Sequence, residues 1–314
     1  LWRITKLFSR MYFPTLNNIE GVKDIMDDVI DGWCNRLPSC VKQPGRIAWF
    51  SEISAAAKIE VSTEVSVPAP YKMIGGGCRT FPDPARGFGL HLTDCRPLGS
   101  QSWYARSLQY AGCKCPDFVG KVGAYASAIF DPDDEFEVVI SDVVSTTVLK
   151  PVGKVTVQND FILTGGGARV TEPTLMTTFA PSITEQATWK AASLCGMMSY
   201  VNTNVQSIAI GIRAWNTTQN RITSRVNRVE SPNKVANPSL KCSVPAAHTG
   251  GGGGIEGIDN GSLFVYQTWA HTSAPSASNT NSWETGSSNS FAWGDVYNKI
   301  YCYSIGLQIN GLPA

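Results

Sequence analysis

The feature that most constrains this chain is an internal triplication. Segments 64–77, 154–167 and 241–254 each place a valine eight residues ahead of a glycine in a Gly-Gly-Gly run: Val67 before Gly75, Val157 before Gly165, Val244 before Gly252. A tryptophan in a small polar setting follows in each copy, at Ser102-Trp103, Thr188-Trp189 and Ser282-Trp283, with Ser107, Ser193 and Ser287 behind it. Each copy then closes on an apolar run, 125–129, 208–212 or 303–307. A constant order of motifs at a constant spacing marks one supersecondary unit copied three times, each copy relying on its neighbours to bury its apolar face.

Alternating Val-x-Val pieces and β-branched closing runs predict strands with one buried face. A glycine run inside such a pattern marks a bend, a bulge or the close approach of another backbone. It does not read as a phosphate loop, because no Lys-Ser/Thr follows and no helical pattern opens after it. The tryptophans read as core anchors, one per unit. The only clear helical signal is Asn18 to Trp33, where Ile19, Val22, Ile25, Met26, Val29 and Trp33 recur at three- and four-residue steps. The expected organisation is therefore an N-terminal arm (1–16), a helix and Cys loop (17–45), and repeats at 46–135, 136–220 and 221–314.

Three pseudo-equivalent β units of this kind resemble the three-fold β-prism proteins of the vitelline membrane outer layer type and, more distantly, the jacalin-type lectins. The resemblance covers roughly residues 45 to 310 and rests on the triple copy, the glycine runs and the closing Ile-Gly strands. It implies a mainly β fold of three antiparallel pseudo-repeats in a β-prism-like arrangement. The units are longer than in those families, the cysteine pattern differs, and no jacalin-like Gly-x-x-x-Asp sugar site stands at the corresponding chain ends. No site residue is carried over.

Composition narrows the partners. Of 314 residues, 16% are charged, against roughly 25% in ordinary soluble domains, and the formal net charge is +1. Such a chain has no field to gather nucleic acid or an anionic membrane, and no stretch approaches the ~20 apolar residues of a transmembrane helix. The basic residues Arg213, Arg221, Arg225, Arg228, Lys234 and Lys241 read as a solvated connector. Ser243 to Asn298 contains no Lys or Arg, a surface suited to packing on another subunit or to offering hydroxyls and amides to a neutral ligand.

Nine cysteines point to an oxidising compartment. Cys34 with Cys40, and Cys242 with Cys302, are the candidate disulfides, and the odd count leaves a thiol free or bonded to another chain. Zinc competes poorly: Cys113 and Cys115 form a Cys-x-Cys with no second arm of a usual ligand set. Asn216 and Asn260 sit in Asn-x-Ser/Thr acceptor sequences. Leu1 to Pro14 carries Arg3, Lys6 and Arg10 and so does not read as a signal peptide; a start at Leu suggests a processed, secreted chain.

No motif names a reaction. His91 with Asp94 is the nearest approach to an acid–base pair, and the acidic cluster Asp131, Asp133, Asp134 and Glu135 lacks the spacing of a calcium loop. No cofactor and no metal are expected. The expected function is that of a non-catalytic extracellular structural protein that self-associates into a layer, fibre or similar assembly. Its apolar arm, with Trp2, Phe8, Tyr12 and Phe13, wants a partner surface. The alternative is a secreted carbohydrate-binding protein using Asp259, Asn260, Tyr266, Trp269 and Asn281, where aromatic faces and amides meet sugar hydroxyls.

Overall fold

A computed structural model describes residues 46–82, 90–109, 119–171, 174–195, 202–215, 222–232, 238–258, 268–276, 279–289 and 299–309. The expected arm, helix and Cys34–Cys40 loop lie outside these residues. All of the regular structure described is β-strand.

The strands fall into three sets that follow one order. The first set is β1 (Ile47–Ile53), the short β2 (Ala57–Lys58), β3 (Glu60–Ser66), β4 (Tyr71–Pro82), β5 (Leu90–Pro97), β6 (Ser102–Gln109) and β7 (Val119–Phe130). The second is β8 (Phe136–Val144), β9 (Val152–Thr156), β10 (Ile162–Val170), β11 (Thr174–Pro181), β12 (Thr188–Cys195) and β13 (Val205–Ala214). The third is β14 (Ile222–Glu230), β15 (Ser239–Ser243), β16 (Thr249–Ile258), β17 (Thr268–Ser276), β18 (Asn279–Asn289) and β19 (Lys299–Ile309).

These sets do not fold into three separate sheets. Sheet 1 runs β1-β7-β4-β17-β18-β15 with β2 also on β7, sheet 2 runs β3-β6-β5-β10-β13-β8, and sheet 3 runs β14-β19-β16-β11-β12-β9. Every sheet is half one set and half another, joined at an antiparallel seam: β4 against β17, β10 against β5, β16 against β11. Each set therefore splits its strands between two sheets, in cyclic order.

The glycine runs make this possible, and each glycine has its own task. The first of each run faces the other sets: a Cβ on Gly75 would lie 2.6 Å from the Gly251 carbonyl oxygen, one on Gly165 2.8 Å from the Gly75 Cα, and one on Gly252 2.8 Å from the Thr164 carbonyl oxygen. The second lies against its own set's indole, Gly76 on Trp103, Gly166 on Trp189 and Gly253 on Trp283. The third meets the backbone across the seam, Gly77 at Ser273, Gly167 at Cys95 and Gly254 at Phe179. Side chains at any of these positions would hold the strands apart. The five-glycine run is no exception, since Gly252, Gly253 and Gly254 take the same three places and Gly251 occupies the bulge between Gly250 and Gly252. Ile74 and Thr164 fill the equivalent bulges.

Trp103, Trp189 and Trp283 are all buried. Their N–H groups are treated differently. Trp103 Nε1 donates to Cys78 Sγ at 3.5 Å and Trp283 Nε1 to Ser273 Oγ at 2.9 Å, whereas Trp189 Nε1 is buried with no acceptor. Sequence divergence at the two seam positions is the cause: the second set has Ala168 where the first has Cys78 and Phe179 where the third has Ser273, and neither side chain can accept.

Candidate interaction surface

Each seam carries an ion pair between side chains of two different sets. Arg79 meets Glu284 at 2.5 Å in sheet 1, Lys190 meets Glu256 at 2.5 Å in sheet 3, and Arg169 approaches Asp94 at 3.8 Å in sheet 2. All are part-exposed or near the surface except Asp94, which is buried and also bound by Arg96 at 2.9 Å. Burial pushes the Asp94 carboxyl up to about 6, against the pull of the Arg96, Arg169 and Arg106 guanidiniums. In sheet 3 the Tyr303 hydroxyl donates to Glu256, and burial together with that carboxylate raises the phenol well above its usual range.

Beside the sheet 3 seam lies a hollow of about 190 Å³, lined among others by Lys150, Pro151, Val152, Thr177, Lys190 and Leu194. Its rim is formed by the segment that carries the chain from β8 in sheet 2 to β9 in sheet 3. Backbone bonds fix that crossing: Ser145 N donates to Val205 O at 2.9 Å, Val148 N to Thr203 O at 2.9 Å, and Ser193 N to Pro151 O at 3.3 Å. Besides Thr146 and Thr147, this stretch exposes several apolar side chains. Val143, Val144, Val148, Leu149 and Val152 are each between 40% and 56% exposed. Single exposed hydrophobic residues are ordinary, whereas five within ten residues, at the end of β8 and along a crossing held by backbone hydrogen bonds, are not.

The sugar-site residues expected from the sequence are not assembled by what is described. Asp259, Asn260 and Tyr266 lie outside the described residues, as does the Trp269 side chain, and Asn281 is exposed on β18. The acceptor asparagines Asn216 and Asn260, and Trp2, Phe8, Tyr12 and Phe13, also lie outside. The expected Cys242–Cys302 bond is not formed: both are buried free thiols, with Cys242 on β15 in sheet 1 and Cys302 on β19 in sheet 3, and Cys302 Sγ donates to Trp283 O at 3.3 Å. Among the described residues the disulfide is Cys78–Cys95, which ties β4 in sheet 1 to β5 in sheet 2.

Other candidate groups are engaged structurally. The Asp131 carboxylate accepts from the Glu135 and Phe136 amides at 2.7 and 3.1 Å and pairs with Lys72 at 2.7 Å, so it shapes the turn between the first two sets. Among the described residues no group of three or more His, Cys, Asp or Glu side chains is placed to hold a metal ion. His91 is buried within β5. Arg213 pairs with Glu137 at 2.5 Å and with Asp160, and it stacks over Phe161 and Trp215. That part of the basic run is anchored to the sheet.

No family model and no curated protein matches the chain. Among the described residues no helix is long and apolar enough to cross a membrane.

Proposed function

We propose that this chain is a non-catalytic structural subunit of an extracellular layer, fibre or other assembly, built on a three-fold β-prism-like framework. The observation that carries the reading is the exposed apolar residues along the end of β8 and the crossing to β9, Val143, Val144, Val148, Leu149 and Val152, the last of which lines the hollow on sheet 3. Leaving such side chains in water costs free energy that burial against a second copy recovers, at about 25 cal/mol per Å² of apolar surface. A second copy is the favoured occupant because this protein's own surface is weakly charged and has a long stretch free of Lys and Arg, so that copies do not repel one another. The Cys78–Cys95 disulfide supports an oxidising, secreted setting.

The test is the oligomeric state of the full chain by sedimentation velocity, alone and with Val144→Glu and Leu149→Glu together. The reading expects a large species that the double variant dissociates while its circular dichroism stays that of a β protein. A monomer at every concentration, or an assembly indifferent to the two charges, would overturn it. The carbohydrate reading draws on Asn281 alone among described side chains, and a glycan array blank for intact protein would remove it.

A further inference from the structure

The three sets allow a comparison inside one chain, because register fixes which residues are equivalent. Cys302 lies opposite Ile255, just as Ala124 lies opposite Cys78 and Ser207 opposite Ala168. Cys242 stands two residues before Val244, as Val65 stands before Val67 and Val155 before Val157. Cysteine thus occupies both positions in the third set and neither position in the other two. The same both-or-neither pattern holds for the formed disulfide. Cys78 and Cys95 of the first set correspond to Ala168 and Phe179 in the second and to Ile255 and Ser273 in the third.

The surroundings of the third-set pair favour bonding. Cys242, Trp283 and Cys302 form one buried cluster, packed by Trp49, Val229 and Leu240. Cys242 Sγ is 3.4 Å from Ser304 Oγ, two residues after Cys302, and Cys302 Sγ donates at 3.3 Å to the carbonyl of Trp283, the residue opposite Cys242 in the β15–β18 ladder. Like Cys78 and Cys95, they sit in different sheets of one set. A cysteine selected for packing alone would not need its partner to change with it, since valine and alanine, or valine and serine, fill the same two places elsewhere.

We infer that Cys242 and Cys302 are a second oxidation site, closing to a disulfide that ties sheet 1 to sheet 3 as Cys78–Cys95 ties sheet 1 to sheet 2. The co-reactant is a small-molecule disulfide such as oxidised glutathione. One thiolate attacks it to give a mixed disulfide and release one glutathione thiol. The second thiolate then displaces the other glutathione, so the protein pair loses two electrons and two protons and two glutathione thiols form. Because both sulfurs are buried, closure belongs to folding, before the cluster excludes the reagent.

The test uses the full chain folded in oxidised and reduced glutathione, unfolded in iodoacetamide without reductant, digested, and read by mass spectrometry. The expected result is a peptide pair joined through Cys242 and Cys302 that separates on reduction, alongside the pair joined through Cys78 and Cys95. Alkylated Cys242 and Cys302 in that same sample, or either one bonded to another cysteine, would overturn the assignment. So would a sample in which both pairs stay reduced. A Cys242→Val, Cys302→Ala variant, which restores the residues of the first set, should melt below the oxidised parent; equal midpoints would show that the bond does not staple the sheets.

Discussion

Gly76 lies flat against the Trp103 indole, with no space for even a methyl group between them. Gly76→Ala should destabilise the fold by about 3 kcal/mol, the scale of an overpacked core, because the ring is hemmed in and the Tyr125 carbonyl blocks the other side. Gly99→Ala, where nothing lies within 4 Å, should fall within about 0.5 kcal/mol of the parent. Urea unfolding of both variants checks this, and similar losses at the two sites would show that the glycine run is not packed as described.

The three tryptophans are predicted to differ. Trp283→Phe removes a buried hydrogen bond and leaves Ser273 Oγ without its donor, whereas Trp189→Phe removes an N–H that has no partner. Trp189→Phe should therefore cost about 1 kcal/mol less than Trp283→Phe in the same unfolding experiment. The reverse order would mean that Trp189 has an acceptor.

Asp94 makes a signed prediction for pH. Its carboxyl is raised in the fold from 3.8 to about 6, so between those values the folded state binds the proton more tightly than the unfolded chain. Stability from this group is fully present below about pH 4, falls as pH rises through about 6, and is flat above. The unfolding free energy of the parent relative to Asp94→Asn should drop across that window by an amount on the order of 3 kcal/mol, read by urea unfolding at each pH. A difference that does not change between pH 4 and 7 would place Asp94 at an ordinary carboxylate value.

Ile59 has φ of 67° and is exposed, a left-handed conformation that a β-branched side chain resists. Ile59→Asn should raise stability by about 1 kcal/mol, since asparagine tolerates that region and no packing is lost. A fall in the melting midpoint on this substitution would show that the isoleucine makes contacts worth more than the strain.

Much of the strand framework was legible in the sequence because its signals are local. The glycine runs and the buried tryptophans lie within strands, and Val67, Val157 and Val244 each stand just past the end of one. Which strands pair was not legible, because the seam partners β4 and β17, or β16 and β11, are far apart in the chain and share no motif. For the same reason the ion pairs Arg79–Glu284 and Lys190–Glu256 carried no sequence signal. The five-glycine run aligns as the eight-residue step from Val244 to Gly252 implies: Gly251 fills the bulge, and Gly252, Gly253 and Gly254 match the other runs. Cys78–Cys95 was missed because spacing along the chain does not fix connectivity. Comparing the copies position by position would have found it, since both cysteines are absent together from the other sets. The exposure of Val144 and Leu149 carried no sequence signal, because apolar residues read as buried and only the fold reveals that these face water.

The sharing of every sheet between two sets has a consequence for how the protein reaches its native state. A chain stopping after β13 would complete sheet 2 yet leave β4 and β11 as bare edges, each awaiting strands of the third set. No set has a stable fold to itself, so the transition should be all-or-none despite the modular sequence, and slow, because the seams close long loops. The same unfilled edges in a truncated or interrupted chain would accept strands from another molecule, so fragments of this protein should exchange halves between chains rather than fold as shorter versions of the whole.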